Sequence, residues 1–154
     1  MSTPAQTSAQ TPAQTPADTV TRFLAALADH DTDAAIALAA PDVAVDVYPL
    51  RVAGSGPAIL EQVLKDLVRA FPDLLVTVSR VIATGDVVTA LLKAEGTQAA
   101  DYAGAINQEK HLDIDEAWRF TVTDGRISAV RAYWCQAQLY RRLAVKRFDE
   151  IAIA

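Results

Sequence analysis

The amino-acid sequence predicts an α+β domain, with helices segregated onto the concave face of a curved antiparallel sheet. Two observations predict it. Apolar residues recur at helical spacing through much of the first half, whereas β-branched and apolar runs separated by the turn signals Thr84-Gly85-Asp86 and Asp124-Gly125 take over after Leu74. The resulting order of helices, one strand, a helix and a four-strand meander is that of a segregated α+β chain. With 154 residues, 51% of them hydrophobic and 21% charged, the chain has the length of one ordinary domain and is expected to have a single core.

Residues 1–18 repeat with period four, Thr3, Thr7, Thr11 and Thr15 alternating with Ala5, Ala9, Ala13 and Ala17. Such a segment has too little to bury to offset about 1–2 kcal/mol of backbone entropy per residue, so a disordered low-complexity tail is expected there. The single domain is expected over 19–145, with a tail over 146–154 whose packing the sequence leaves open. Asp18 is the expected N-cap of a helix over 19–29, because Val20, Phe23, Leu24 and Leu27 follow at i, i+3, i+4, i+7 spacing. A second helix is expected over 33–40 behind Thr32, stopped by Pro41, and a first strand over 43–50. Gly54-Ser55-Gly56 marks a turn; Pro57 suits a first helical position, and Leu60, Val63, Leu64, Leu67 and Phe71 form the stripe of a third helix ended by Pro72. Strands follow over 74–83, 87–95, 111–122 and 127–136.

Alternation along a strand assigns its faces. In His111–Phe120, Leu112, Ile114, Trp118 and Phe120 share a face with Glu116, the acidic exception, while His111, Asp113, Asp115, Ala117 and Arg119 take the other. Val130, Ala132 and Trp134 face inward from the last strand, and Arg131, Tyr133 and Cys135 outward. An ionised carboxylate on an apolar face loses hydration, so Glu116 either lines a cavity as a proton-transfer group with a raised pKa or is satisfied structurally. Asp46 and Tyr48 lie opposite Val43, Val45 and Val47; they become second polar groups of a site only if the strand bends near Pro49. Tyr102, in the long loop between the middle strands, is either a lid aromatic or packs its own loop. His111, Asp113 and Asp115 are read as a solvated charged face pairing with Arg119 and Arg131, and His30 as a surface residue at a helix end.

Composition excludes several classes. A net charge of −5 disfavours nucleic acid and anionic membranes. One cysteine and two separated histidines assemble no zinc spacing, so no metal is expected. The N-terminus lacks a basic and an apolar signal region, and no run approaches the roughly 18 apolar residues of a membrane span, which leads to the expectation of a soluble cytoplasmic protein. No nucleotide fingerprint or nucleophile elbow is present, and no cofactor is expected.

The strings TRFLAALADHDTDAAIALAAPDVAV, FPDLLVTVSRVIATGDVVTALLKAEGT and EAWRFTVTDGRISAVRAYW resemble the SnoaL-like polyketide cyclase group of the nuclear-transport-factor-2-like superfamily, over roughly residues 19–140. The most specific pieces are Phe71-Pro72-Asp73-Leu74, Gly85-Asp86, Gly96-Thr97 with Gly104, and Asp124-Gly125-Arg126-Ile127. ISAVRAYW is also similar to the ketosteroid isomerases. The resemblance implies a cone-shaped α+β fold with a deep hydrophobic cavity, cofactor-free acid/base chemistry on a small ring-forming or carbonyl substrate, and dimers or tetramers formed through the sheet. The family's cavity carboxylate falls on Glu116 if the following turn is two residues longer here, and on Trp118 otherwise. The isomerases' helix-one tyrosine is Phe23 here, and their base aspartate becomes Val47 or Tyr48, which argues against steroid isomerisation. A histidine frequent after Gly-Thr in the family is replaced by Gln98.

These readings converge on a small-molecule cyclase or isomerase of polyketide-type secondary metabolism. Glu116 moves the proton, Asp46 or Tyr48 assists, and Phe23, Trp118, Phe120, Val130, Trp134 and Tyr102 surround the substrate. The alternatives are epoxide opening, which needs Asp46 facing inward with Glu116, and a non-catalytic ligand-binding or dimerisation module, which a filled core would favour.

Overall fold

The computed structural model describes residues 14–146. Its elements are α1 (Pro16–Ala28), α2 (Thr32–Ile36), β1 (Ala39–Val47), a 3₁₀ turn (Tyr48–Leu50), β2 (Val52–Ser55), α3 (Pro57–Ala70), β3 (Leu75–Thr84), β4 (Val87–Thr97), β5 (His111–Thr123), β6 (Arg126–Tyr133) and α4 (Gln136–Arg142). The strands form one sheet ordered β2-β1-β6-β5-β4-β3. The β1–β6 pairing is parallel, with Val45 opposite Val130, and the other four are antiparallel. This is the expected α+β class. Among the described residues no helix is long and apolar enough to cross a membrane.

The apolar stripes of α1 and α3 bury Val20, Phe23, Leu24 and Leu27, and Leu60, Val63, Leu64 and Leu67, in the core. On β5 burial alternates strictly, with Leu112, Ile114, Glu116, Trp118, Phe120 and Val122 inside.

Several boundaries differ from the sequence expectation, each for a local reason. Thr15, not Asp18, caps α1: Thr15 Oγ1 accepts from the Asp18 amide (3.2 Å) and the Asp18 carboxylate accepts from the Thr15 amide (3.1 Å). Residues 16–18 of the repeat therefore belong to the helix, with Pro16 where its missing amide proton is harmless. The expected disorder of residues 1–13, and the tail beyond residue 146, lie outside the described residues. α2 is capped by Asp31 rather than Thr32 and ends at Ile36. Pro41 sits inside β1, where the β1–β6 ladder is interrupted between Ala39 and Ala44 and needs no amide from it. Gly54 and Ser55, expected in a turn, instead belong to β2 and pair with Val45 and Ala44. The last strand stops at Tyr133, and the unanticipated α4 follows.

His30 is half-buried rather than a plain surface residue. Its ring Nε2 donates to the Leu74 carbonyl at 2.8 Å, tying the end of α1 to the start of β3. Beside this contact, the Asp73 carboxylate accepts from the Thr97 amide at 2.7 Å, and that bond holds its pKa below the ordinary range. A Cβ on Gly96 would lie 3.0 Å from Phe71 Cβ and 3.1 Å from Asp73 Oδ1, so a side chain there requires these neighbours to give way by a few tenths of an ångström. Gly96→Ala is expected to destabilise the fold by about 1–3 kcal/mol. The readout is a lower urea midpoint at unchanged slope; an unmoved midpoint would show that Phe71 and Asp73 yield freely.

Candidate active site

Glu116 lies in the middle of β5, opposite Leu92 of β4, and is 7% exposed. Residues two apart on a strand share a face, and Trp118 uses that proximity: its indole Nε1 donates to Glu116 Oε2 at 2.8 Å. Among the described residues this is the hydrogen bond Glu116 makes, so Oε1 is uncommitted. Burial among apolar side chains pushes the carboxyl up to about 7, and the Trp118 bond, which favours the ion, only partly opposes it. Near neutrality such a group is populated in both protonation states and serves as acid or base.

The aromatic residues expected around it come together. The Phe23 ring centroid is 5.3 Å from that of Phe120, edge to face, and 6.5 Å from that of Trp118; Trp118 and Phe120 stack at 6.2 Å. Val130 is fully buried opposite Phe120, and Ala132 opposite Trp118. Trp134 lies beyond the end of β6, half-buried against the core, its indole held by Gln136 at 2.8 Å.

Tyr102 is packed down rather than raised as a lid. It exchanges two backbone hydrogen bonds with Ala105 (3.0 and 2.8 Å), across a tight turn in which Ala103 and Gly104 both have positive φ. Its ring meets Phe71 edge to face at 5.4 Å. Burial and the charges of Glu116 and Asp66 raise its pKa well above that of an ordinary phenol. Asp66 also borders an apolar cleft of about 300 Å³ between the 3₁₀ turn, β2 and α3, lined by Leu50, Val52, Ile59 and Val63.

Residues 17–143 match the family described as SnoaL-like polyketide cyclase. The chain belongs to that family. Among curated proteins none matches it. A solved candidate SnoaL-like polyketide cyclase from Jannaschia sp. CCS1 is 20% identical, with a TM-score of 0.78 over 90% of this chain and 98% of that one. IdmH from Streptomyces antibioticus, a candidate polyketide cyclase, is 22% identical, with a TM-score of 0.72 over 85% of this chain and 99% of that one. A protein of ketosteroid isomerase-like fold from Catenulispora acidiphila is 16% identical, with a TM-score of 0.70 over 82% of this chain and 92% of that one. At such identities these structures speak for the fold alone.

In this SnoaL-like chain two expected polar groups stay away from Glu116. From Ala44 to Val47 β1 keeps its register with β6, and Val43, Val45 and Val47 are fully buried, so Asp46 faces the outer side and approaches Arg131 at 3.9 Å. Ala132, next to Arg131, is on the Trp118 side, which places Asp46 across the sheet from Glu116. Tyr48 is 51% exposed and stacks on Tyr133 at 4.9 Å. Epoxide opening by an Asp46–Glu116 pair therefore lacks its geometry. The outer acidic row also pairs differently than expected: Asp113 meets Lys93 at 3.2 Å, and Arg131 goes to Asp46.

Gln98 was not anticipated as a structural residue. It is buried, donates from Nε2 to the Ala105 carbonyl (3.1 Å) and accepts from the Gln108 amide (3.4 Å), so it organises the loop that carries Tyr102. A lone glutamine in a loop has no periodicity by which its burial could be read.

Trp118→Phe removes the donor that favours the ionised form, so the Glu116 midpoint is expected to rise above about 7; carboxyl carbon NMR titration reads it, and a downward move would contradict the assignment. Because its folded pKa exceeds the unfolded one, Glu116 takes up a proton on folding, and its contribution to stability declines as pH rises through that window. Above it, the buried charge opposes folding by on the order of 3 kcal/mol. Glu116→Gln is expected to lose less stability than wild type between about pH 5 and about pH 8 in denaturant titrations.

Proposed function

We propose that this protein is a cofactor-independent cyclase or isomerase of a small, apolar, polyketide-type carbonyl compound, with Glu116 as the group that moves the proton. The observation that supports this reading most directly is a carboxyl buried on an apolar face, with a pKa near neutrality, one oxygen held by Trp118 and the other uncommitted. As carboxylate, Oε1 removes a proton alpha to a carbonyl. The resulting enolate carbon either attacks a second carbonyl of the same molecule, closing a ring, or is reprotonated at another position. Glu116 returns the proton in both cases, so the enzyme ends as it began.

A homodimer or homotetramer formed through the outer face of the sheet is part of the same proposal. Exposed Tyr48, Tyr133 and Leu91 support it, because solvent-facing apolar groups of that size favour burial against a partner. A second reading, a non-catalytic ligand-binding module, draws support from the mutual packing of Phe23, Trp118 and Phe120, which fills that part of the interior.

Glu116→Gln keeps the shape and removes the titration. Positioned proton transfer contributes ~10² to 10⁴ in rate, and kcat on a ring-forming poly-β-ketone is expected to fall by that factor. Because Glu116 must be ionised to act as base, the acidic limb of the wild-type kcat/KM profile, with its apparent pKa near 7, is expected to disappear in the variant. Full turnover by Glu116→Gln would remove Glu116 from the proton-transfer role, and ligand binding by wild type without turnover would leave the binding-module reading in place.

A further inference from the structure

We propose that residues 134–144, the turn after β6 together with α4, form a lid over the Glu116 site, latched by the Tyr140 hydroxyl and the Gln108 side-chain amide and lifted as a unit to admit substrate. Its role as an entrance rests on the reading of Glu116 as the proton-transfer group; its motion does not.

Glu116 has to meet a substrate, yet the inner face around it is shut. Ile114, Glu116 and Trp118 are all buried, and Phe23 and Phe120 pack against Trp118. One bounding element therefore has to move. On one side β4 is paired with β5 without a break from Val87–Thr121 to Thr97–His111, with Leu92 opposite Glu116. On the other side the β6 ladder runs only as far as Tyr133 opposite Ala117, the residue next to Glu116. From there the place of β6 is taken by Trp134, half-buried against the core, and by α4, which packs chiefly on β5. The chain bordering Glu116 on that side is thus held by no ladder.

Its attachment is slight in other respects too. α1 and α3 are 13 and 14 residues long, and each buries a stripe of four large apolar side chains. α4 has seven residues, buries Leu139, with Leu143 following at its end, and receives no side-chain cap from Cys135. A helix that short does not hold itself together in water. Three side-chain hydrogen bonds fasten it to the loop between β4 and β5. The Tyr140 hydroxyl donates to the Ala103 carbonyl at 2.8 Å, and Gln108 Nε2 donates to the Leu143 and Ala144 carbonyls at 3.2 and 3.1 Å. All three are neutral, and water replaces them once the segment lifts. Ala144, where the segment ends, has a left-handed φ of 61°, a conformation that costs a residue bearing a Cβ.

Two leucines and three neutral hydrogen bonds are a small set to undo, and locally opening units are drawn from such elements. Trp134 carries the motion to the site. Its indole Nε1 donates to Gln136 Oε1 at 2.8 Å, in the first turn of α4, so lifting the helix draws the indole away from the end of the β5–β6 ladder beside Glu116.

The test reads access to position 116 without turnover. The full chain carries Glu116→Cys with Cys135→Ala, and modification by methyl methanethiosulfonate is followed by mass spectrometry at urea concentrations below the unfolding transition. Ala90→Cys in the same background is the reference, because Ala90 is fully buried on the same face, opposite Trp118. The thiol at position 116 is expected to react through an opening nearly insensitive to urea. Tyr140→Phe is expected to speed it about fivefold, the worth of one neutral hydrogen bond, and to leave position 90 unchanged. Cys135→Ser in place of Cys135→Ala supplies the missing N-cap oxygen and is expected to slow position 116 by about the same factor. Reaction at position 116 that follows urea as steeply as position 90, or that Tyr140→Phe leaves unmoved, overturns the lid. A gated label together with full turnover by Glu116→Gln keeps the lid and overturns the Glu116 reading; an ungated label with turnover lost in Glu116→Gln does the reverse. Should Glu116→Cys not fold, native-state amide exchange of the wild type decides. The Leu139 and Leu143 amides, bonded to the Cys135 and Leu139 carbonyls, are expected to exchange ahead of those of Leu24 and Leu64 with little urea dependence, and faster still in Tyr140→Phe; exchange at the rate of global unfolding overturns the proposal.

Discussion

The desolvation of Glu116 is the constraint around which this protein is arranged. A carboxyl on the inner face of β5 is flanked by Ile114 and Trp118 and faces Leu92 across the ladder, so it gives up most of its hydration. The single indole hydrogen bond restores only part of it, and the balance leaves the group near neutrality instead of fully ionised. A second strong donor at Oε1 would remove that balance. An Oε1 without a protein donor costs some stability, because burial has taken its water away.

The scaffold suits the task. β5 is paired on both sides, by β4 and β6, so the backbone under Glu116 is fixed by two hydrogen-bonded ladders. Tyr102, in contrast, stands on a loop, which a buried glutamine and a two-residue turn with positive φ make nearly as well defined. α4 adds a brace, because Gln108 donates to the Leu143 and Ala144 carbonyls at its C-terminal end. The loop is thus fixed by polar contacts, and the strand by the sheet.

What the sequence made legible was whatever a regular period could express. The alternation in His111–Phe120 placed Glu116 inside with Leu112, Ile114, Trp118 and Phe120, and the stripes of α1 and α3 named much of the core. Val43, Val45 and Val47 point inward as alternation requires; the bend near Pro49 on which an inward Asp46 or Tyr48 depends does not turn Asp46, because β1 keeps its register with β6 from Ala44 to Val47. β2 escaped because four residues containing glycine and serine show no strand pattern and owe their conformation to pairing with β1. α4 escaped because its short sequence buries Leu139 and little else. The contacts of His30 and Gln98 join parts of the chain that only the tertiary structure brings together.

The parallel pairing of β1 with β6 has a consequence for how the chain is made. β1 leaves the ribosome early, yet its valine-rich face is completed by a neighbour encoded near the other end. Until that neighbour emerges, the nascent chain carries an unpaired, sticky edge, and helices α1 to α3 are the cover available to it. Premature termination before residue 126 would release a polypeptide with that edge still open, a natural client for chaperones and proteases.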